Sequence, residues 1–369
     1  MANFTPANAV LSVGQSIGRY FALISMIPSL LLVLWTYALI ASGSLSGTPS
    51  LHSVEVALSD WSVGKVAGIV LASLAVALVL HPLQFITTQL LEGYWGTSLL
   101  ARQAMKVRIA YHRKRQRRLV QLVGSSNRKR NAMCMEILRD EFDKHPERKK
   151  DSRMRSKRIE EVMNAKTGDR IMGYVAAGQE ALDELNGYPD DLTRILPTEL
   201  GNALRNFEDS TGRQYGLQIL PIAPHLHLVA PPRHLEYLED AREEMDSAIR
   251  ICTVGLVATA LSAGFLMTKG LWLLWAALPY SVSYLSYKGA VSAAQGYGAV
   301  VATVLDLDRF LLYSELGLNT PKDSAEEREA NVKLMQLLGR QKVDLRYLQK
   351  DATLGHPSFF ARLRRKSEN

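Results

Sequence analysis

The chain has 369 residues, 47% of them hydrophobic, and carries 44 Lys and Arg against 36 Asp and Glu, a formal net charge of +8. Its two cysteines lie in unlike surroundings, Cys134 in a basic region and Cys252 inside an apolar run, so neither a disulfide nor a zinc site is expected. The mean hydropathy of −0.03 averages apolar runs with a polar stretch rich in Lys and Arg.

Long apolar runs are grouped as two pairs along the chain. They cover Tyr20–Ala41, Val66–Leu80, Ile251–Met267 and Leu271–Tyr287. A helix needs about 17–25 apolar residues to cross ~30 Å of hydrocarbon. The sequence therefore predicts an all-α integral membrane protein with four transmembrane helices in two hairpins, and a helical cytoplasmic domain between them.

The first run is interpreted as a retained helix. The flank before Arg19 has no basic cluster, and the run is longer than the apolar part of a signal peptide. Cleavage at the Ala-Ser-Gly that follows the run is the alternative. Just after the second run, Pro82 predicts a kink, with Val66–Leu80 as most of the span and a bent extension to about Leu100 at or below the inner interface.

Residues 101–165 are predicted to be helical, with a polar break at 124–127 and a dense cationic cluster before it. The cluster consists of Arg113, Lys114, Arg115, Arg117 and Arg118. A solvated face beside anionic lipid headgroups is the favoured interpretation, and pairing with acidic helices of the same chain is the second. Binding of nucleic acid is disfavoured, because Tyr111 stands nearly alone as an aromatic residue for stacking.

The most distinctive stretch is Leu196-Pro197-Thr198-Glu199-Leu200-Gly201-Asn202, followed by Tyr215-Gly216. Thr198 is a suitable N-cap, and Gly212 is suited to end the helix. Leu200, Leu204 and Phe207 share one face of that helix, which predicts that they pack in the core of the soluble domain.

These residues resemble a group of uncharacterised bacterial multi-pass membrane proteins, common in actinobacteria. The group shares the Leu-Pro-Thr-x-Leu-Gly-Asn segment, then Tyr-Gly, and an Asp-x-x-Arg-Phe-x-Leu-Tyr segment that is matched here from Asp306 through Arg309 to Tyr313. Where the group has Trp-Pro-Arg-Leu after Tyr-Gly, this chain has Ala-Pro-His-Leu at 223–226. The resemblance implies a bacterial inner-membrane protein and assigns no activity.

An acidic amphipathic helix is predicted over Pro232–Arg250, running directly into the third span as a stalk. Small residues at helical spacing allow helix backbones to approach closely. They occur as Gly68/Ala72 and Ala260/Gly264, and after the fourth run as Gly289, Ala293, Ala294, Gly298 and Ala302. The last series packs either within one chain or between subunits, and a homo-oligomer is slightly favoured.

Candidate chemistry is sparse. His225 and His227 alternate as two ligands on a strand face would, but no Asp or Cys ligand lies nearby, so no metal is expected. Asp306 and Arg309, at i,i+3, are interpreted as a structural ion pair. The sequence has no phosphate-binding Gly loop, nucleophile elbow or HExxH motif, so no catalytic residue and no cofactor is assigned. A capping box at 324–327 predicts a polar last helix to about Lys350.

Charge asymmetry sets the expected topology. The loop 42–61 has no Lys or Arg, whereas the central region and the tail are basic, which places both termini in the cytoplasm. Trp35, Trp61, Trp272 and Trp275 then fall at the outer interface and Trp95 at the inner one. The chain is predicted to divide into four segments. Residues 1–100 form the first hairpin, and 101–250 form the basic domain with its stalk. Residues 251–318 form the second hairpin with its small-residue helix, and 319–369 form a C-terminal helix with a basic tail.

The spans contain no Asp, Glu, Lys or Arg in their apolar cores, unlike the spans of most transporters and pumps. We therefore expect a non-enzymatic, oligomeric membrane scaffold or effector whose cytoplasmic domain receives a partner or signal. A channel or membrane-permeabilising effector lined by small and hydroxyl residues is the alternative, and a membrane-bound enzyme is third.

Overall fold

The structure, a computed structural model, describes residues 26–45, 47–59, 62–146, 152–164, 169–344 and Tyr347. Over these residues the chain is helical and has no β-strand beyond an isolated bridge between Leu318 and Tyr347. The α-helices are α1 (described as Met26–Ala41), α2 (Leu51–Ser59), α3 (Val63–Glu92), α4 (Leu99–Lys144), α5 (Ser152–Asn164), α6 (Asp169–Leu185), α7 (Glu199–Ser210), α8 (Ile219–Val229), α9 (Pro232–Leu266), α10 (Ala277–Glu315) and α11 (Ser324–Leu338). Short 3₁₀ helices occupy Leu192–Arg194, Arg213–Tyr215 and Gly270–Ala276.

Residue contacts group the chain into two compact units. The first unit combines Met1–Ser210 with Tyr237–Val300, and the second combines Thr211–Glu236 with Val301–Asn369. The four segments predicted from the sequence, with boundaries at 100, 250 and 318, were defined by polarity and topology, which is a different criterion, and they stay a prediction.

Among the described residues, three helical stretches are long and apolar enough to cross a membrane: α3, α9 and Gly270–Glu315. Helix α1 is apolar too, but it is shorter over its described residues. Residues 20–25 of the predicted first span, and Trp61, lie outside the described residues. The predicted stalk is confirmed, since α9 runs without interruption from Pro232 through the acidic stretch into the third apolar run.

Apolar helices of the first unit pack against one another. Leu32 of α1 is buried with Val254 and Ala258 of α9, and α3 contributes to the same cluster. Between α9 and α10, a Cβ built on Gly255 would lie 2.8 Å from the Cβ of Ser283. The close approach is therefore at Gly255, whereas the predicted contact residue Gly264 has no atom within 4 Å of an added Cβ.

The extension of the second run is shorter than predicted. Helix α3 continues through Pro82 but ends at Glu92, because Gly93 adopts a left-handed conformation with φ of 106°. This conformation is accessible mainly to glycine and terminates helices. The new helix α4 begins at Leu99, with the hydroxyl of Ser98 accepting a hydrogen bond from the amide of Ala101.

The predicted polar break at 124–127 is wrong, since α4 is continuous from Leu99 to Lys144. Ser126 is buried, and a Cβ built on Gly178 of α6 would lie 3.3 Å from the Cβ of Ser126. The small residues that resemble a break permit a close helix–helix contact. Further along, Cys134, Leu138 and Phe142 of α4 form a core with Val162 of α5 and Ile171 of α6.

Two predictions in the second unit are also corrected. His225 and His227 lie on helix α8 rather than on a strand, so residues two apart point to different sides. Helix α11 ends at Leu338, not near Lys350, and it is capped by Asp323, whose carboxylate accepts from the amides of Ala325 and Glu326. Helix α11 also has a buried face, so it is not a purely polar surface helix.

Candidate functional site

The N-terminus of α7 meets the C-terminal end of α3. The hydroxyl of Thr198 donates a hydrogen bond of 2.7 Å to the carbonyl oxygen of Glu92 and accepts one of 3.1 Å from the amide of Gly201. The last carbonyls of a helix and its first amides have no partner within the helix. One side chain therefore satisfies an open group at the end of each helix, and Thr198 is confirmed as an N-cap.

Close backbone contact explains two glycines of this region. A Cβ on Gly201 would lie 2.0 Å from the carbonyl oxygen of Glu92, and a Cβ on Gly93 would lie 2.6 Å from Cγ of Pro197. No side chain fits either gap without moving the backbone. The Pro-Thr-x-Leu-Gly pattern is thus a docking surface for the end of α3.

Asn202 holds the segment before α7 in shape. It is fully buried, its Oδ1 accepts from the amide of Leu196 at 2.7 Å, and its Nδ2 donates to the carbonyls of Leu196 and Thr198 at 3.0 and 2.7 Å. Because a buried amide is costly when its groups lack partners, this fully bonded Asn fixes the loop conformation that presents Thr198.

Helix α10 reaches the same point from another side. The hydroxyl oxygen of Tyr287 accepts hydrogen bonds from the amides of Glu199 and Leu200, at 3.0 and 3.2 Å. Lys288, the next residue, forms an ion pair with the Glu199 carboxylate. The start of α7 is consequently tied to α10 by a neutral and a charged contact.

The basic helix α4 completes the arrangement. Nη1 of Arg115 lies 2.7 Å from Oε1 of Glu199, and its Nε is paired with Glu184 of α6. Burial alone would raise the pKa of Glu199, but Lys288 and Arg115 outweigh it and hold that pKa below its usual value. We define the α7 junction as Glu92, Arg115, Thr198, Glu199, Tyr287 and Lys288.

A buried histidine of α4 lies beside the junction. His112 is fully buried, with Nδ1 2.9 Å from the hydroxyl of Tyr188, and Nε of Arg108 donates to the carbonyl of Pro197 at 3.3 Å. Burial, with the nearby Arg108 charge, lowers the pKa of His112 to about 4. His112 is therefore neutral at neutral pH.

Some members of the basic cluster bond to other segments of the chain, and others are exposed. Arg113 is half-buried and donates to the carbonyl of Leu192 at 3.0 Å, and Arg115 belongs to the junction. Lys114, Arg117 and Arg118 are exposed. The predicted pairing of the cluster with an acidic helix is found for Arg115, but its partners lie on α6 and α7 rather than on the stalk.

Core packing continues along the α7–α10 contact. Leu200 and Ala203 are buried with Ala290 and Ala294 of α10. Nearer the middle of α10, a Cβ on Gly298 would lie 2.6 Å from the Cβ of Phe207.

Of the two alternatives predicted for the small-residue groove, Ala294 and Gly298 therefore follow the first, packing within one chain. Ala293 and Leu204 are partly buried against the same cluster, and Ala302, in the second unit, is partly exposed. Gly289 has open space around it.

A charged cleft of about 740 Å³ opens beside the junction, between α3, α7 and the stalk part of α9. It is lined by three arginines against five carboxylates, a net charge of −2: Arg205, Arg242, Arg250, Glu92, Glu208, Glu239, Glu243 and Asp246. Arg205 bonds Glu208 and the hydroxyl of Tyr94, and Arg250 bonds Gln84.

In the second unit, the Asp-x-x-Arg-Phe segment has a structural role. Nε of Arg309 lies 2.7 Å from Oε1 of Glu327, and its guanidinium stacks over the ring of Tyr215 at 4.1 Å. Arg309 contacts Asp306 only at its backbone carbonyl, and the Asp306 carboxylate accepts from Gln214 at 3.3 Å. The predicted Asp306–Arg309 ion pair is therefore wrong.

The Tyr-Gly pair belongs to the same network. Nδ2 of the buried Asn331 donates to the carbonyl of Tyr215 at 2.8 Å, and its Oδ1 accepts from the hydroxyl of Tyr313. Gly216 has a φ of 74°, a conformation that favours glycine. The Tyr215-Gly216 pair and the segment from Asp306 to Tyr313 thus both hold α11 against the rest of the second unit.

Sequence reasoning missed the partners of the motif. Glu92, Tyr287 and Lys288 lie far from Thr198 in the chain, and no spacing rule connects them.

Within the described residues, no group of three His, Cys, Asp or Glu side chains is placed to hold a metal ion. Searches of family models, curated proteins and solved structures found no match to this chain.

Proposed function

We propose that the chain is a non-enzymatic, oligomeric scaffold or effector of a bacterial inner membrane, with four spans and both termini in the cytoplasm. Its cytoplasmic helical region receives a partner or signal. The α7 junction carries the proposal, because one short helix contacts the end of α3, the end of the fourth apolar run in α10, and the basic helix α4. A displacement of α4 is passed through Glu199 to two candidate spans.

The proposed topology is supported by the arrangement of tryptophans. Trp35, Trp272 and Trp275 line one small apolar cavity of about 90 Å³ together with Leu51 of α2. Trp95 lies beyond the opposite end of α3, where its Nε1 donates to the carbonyl of Leu90 at 2.8 Å. Tryptophans gathered at the two ends of a bundle are typical of the two membrane interfaces. The resemblance described above supports the bacterial location.

The channel alternative is weakened by the hydroxyl groups of the apolar helices. Ser73, Thr253 and Thr259 each donate to the carbonyl four residues earlier, at 2.7–2.9 Å. Hydroxyls that satisfy their own helix backbone do not need water. This favours helix packing over a polar conduction path within one chain.

Hydrogen exchange tests whether α4 is coupled to the spans. Arg115→Ala removes the contact of α4 with Glu199, and we expect faster amide exchange at residues 89–94, although the bonds of Arg115 go to Glu184 and Glu199 rather than to this segment. The exposed neighbour Arg117→Ala is the matched control and should leave that exchange unchanged. Equal exchange in both variants would refute transmission through the junction. Arg115→Lys, which keeps the charge, should restore part of the protection.

Particle mass and conductance test the remaining claims. In lipid nanodiscs the protein mass of the particle should correspond to two or more chains of 41.0 kDa each. Reconstituted bilayers should show no conductance. Gly68 and Gly289 have no atom within 4 Å of an added Cβ, so they remain open to a second subunit. A monomeric particle contradicts the oligomer, and reproducible conductance supports the channel alternative.

A further inference from the structure

Helix α4 presents an outward stripe that changes from apolar to cationic along its length. The stripe recurs at intervals of four and three residues and consists of Leu100, Ala104, Val107, Tyr111, Lys114 and Arg118, all exposed. Leu100 is 86% exposed and Val107 62%. Intervals of four and three place these side chains on one face of the helix. The buried face of α4, with His112, Gln116 and Leu119, points elsewhere.

An apolar stripe of this kind is unfavourable in water. Leu99, beside the stripe, is 82% exposed, and Tyr111 is half-exposed. Burying a side chain of the size of Leu or Val is worth about 1.5–3 kcal/mol. We therefore expect these three turns at the start of a basic helix to be buried against another apolar surface.

The position of α4 in the chain indicates that this surface is the membrane interface. Only residues 93–98 separate it from the end of α3, a candidate span, and Trp95 in this link bonds back to the carbonyl of Leu90. Where α3 crosses the bilayer, the first turns of α4 begin within reach of the same interface.

Charge selects the kind of surface. Lys106 and Arg117 are exposed on the flank of the stripe, and Lys114 and Arg118 continue it. An apolar face with cationic flanks is the pattern of a helix that lies in an anionic lipid interface. A second copy of α4 fits less well, because Lys114 and Arg118 would meet like charges in a parallel pair.

We propose that residues Leu99–Arg118 of α4 lie in the plane of the inner leaflet, with Leu100, Val107 and Tyr111 inserted among the acyl chains and Lys114 and Arg118 against anionic phospholipid headgroups. The proposal rests on the membrane integration in the proposed function, but it does not depend on the oligomer. A monomeric particle would therefore leave it untouched.

Lipid-borne quenching tests the proposal. A bimane label is attached to Val107→Cys in nanodiscs that contain doxyl-labelled lipid, which quenches the fluorescence of nearby bimane. Met135→Cys on the far half of α4, where Met135 is 59% exposed, is the matched control. Both native cysteines are buried, so the unmodified chain serves as the labelling blank. We expect strong quenching at 107 and little at 135. Equal quenching at the two sites, or none at 107, overturns the proposal.

Lipid charge supplies the second measurement. In nanodiscs of phosphatidylcholine mixed with phosphatidylglycerol, Lys114→Gln with Arg118→Gln should reduce quenching at 107, each lost cation weakening attachment on the order of five-fold. In phosphatidylcholine alone, the same pair of changes should have no effect. An identical loss of quenching in both lipids would show that anionic headgroups do not contribute to the attachment. Cross-linking between two copies at 107, without quenching, identifies a second subunit as the surface that covers the stripe and overturns the lipid assignment.

Discussion

The hydroxyl of Thr198 and the carbonyl oxygen of Glu92 are joined by a hydrogen bond of 2.7 Å across 106 positions of sequence. It connects the end of a candidate membrane span to the first turn of α7. The same hydroxyl also caps α7 by accepting from the amide of Gly201, so one side chain links the start of α7 to the end of α3.

Loss of this hydroxyl should destabilise the protein. Thr198→Val keeps the shape of the side chain but leaves the Glu92 carbonyl and the Gly201 amide without a partner, at a cost of about 1–3 kcal/mol. Thr198→Ser keeps the hydroxyl and is the matched control. Melting of the detergent-solubilised protein should show a clearly lower midpoint for the valine variant alone. Equal melting of Val and Ser variants would mean that the hydrogen bonds contribute little.

Substitution at Gly298 should disrupt one chain rather than separate two. The Cβ of any larger residue meets Phe207 at 2.6 Å, so Gly298→Leu forces α7 and α10 apart, an overpacking cost of about 1–3 kcal/mol or more. Gly296→Leu on the same helix points into open space and should leave the melting midpoint near that of the parent. Size-exclusion with light scattering separates the outcomes. A folded Gly298→Leu variant of reduced particle mass contradicts packing within one chain.

Stability should fall as the pH drops from about 6.5 to 4. In the folded protein the pKa of His112 is about 4, below the value of ~6.5 for an unperturbed histidine. The unfolded chain therefore binds a proton in this window while the folded protein does not, which favours unfolding by up to on the order of 3 kcal/mol. Above pH 6.5 both states are neutral at this site and the effect vanishes.

Melting curves across this range check the assignment. His112→Gln should flatten the decline, whereas the exposed His52→Gln should preserve it. A decline that persists in full after the His112 change would place its origin in other groups.

Topology is testable by cysteine accessibility. Ser53 on α2 and Asn127 on α4 are both exposed. In intact cells an impermeant maleimide should label Ser53→Cys and not Asn127→Cys, as the distribution of Lys and Arg predicts. Labelling of Asn127→Cys alone would invert the proposed orientation.

Local patterns in the sequence predicted several elements because their causes are local. Apolar length identified α3, α9 and the stretch from Gly270, and the acidic stalk that continues into α9 followed from helical periodicity. Thr198 was recognised as a cap from its residue type. The same reasoning failed at 124–127, where small residues that often break helices serve a close contact between α4 and α6.

By itself, the sequence determined that the chain is helical and contains segments apolar enough for a bilayer, since helix formation and hydrocarbon length depend on neighbouring residues. Only the tertiary structure decided which polar groups meet: Thr198 with Glu92, Glu199 with Arg115 and Lys288, and Arg309 with Glu327. Such pairs depend on where several helices end in space. That is a property of the packed chain, and no spacing along the sequence encodes it.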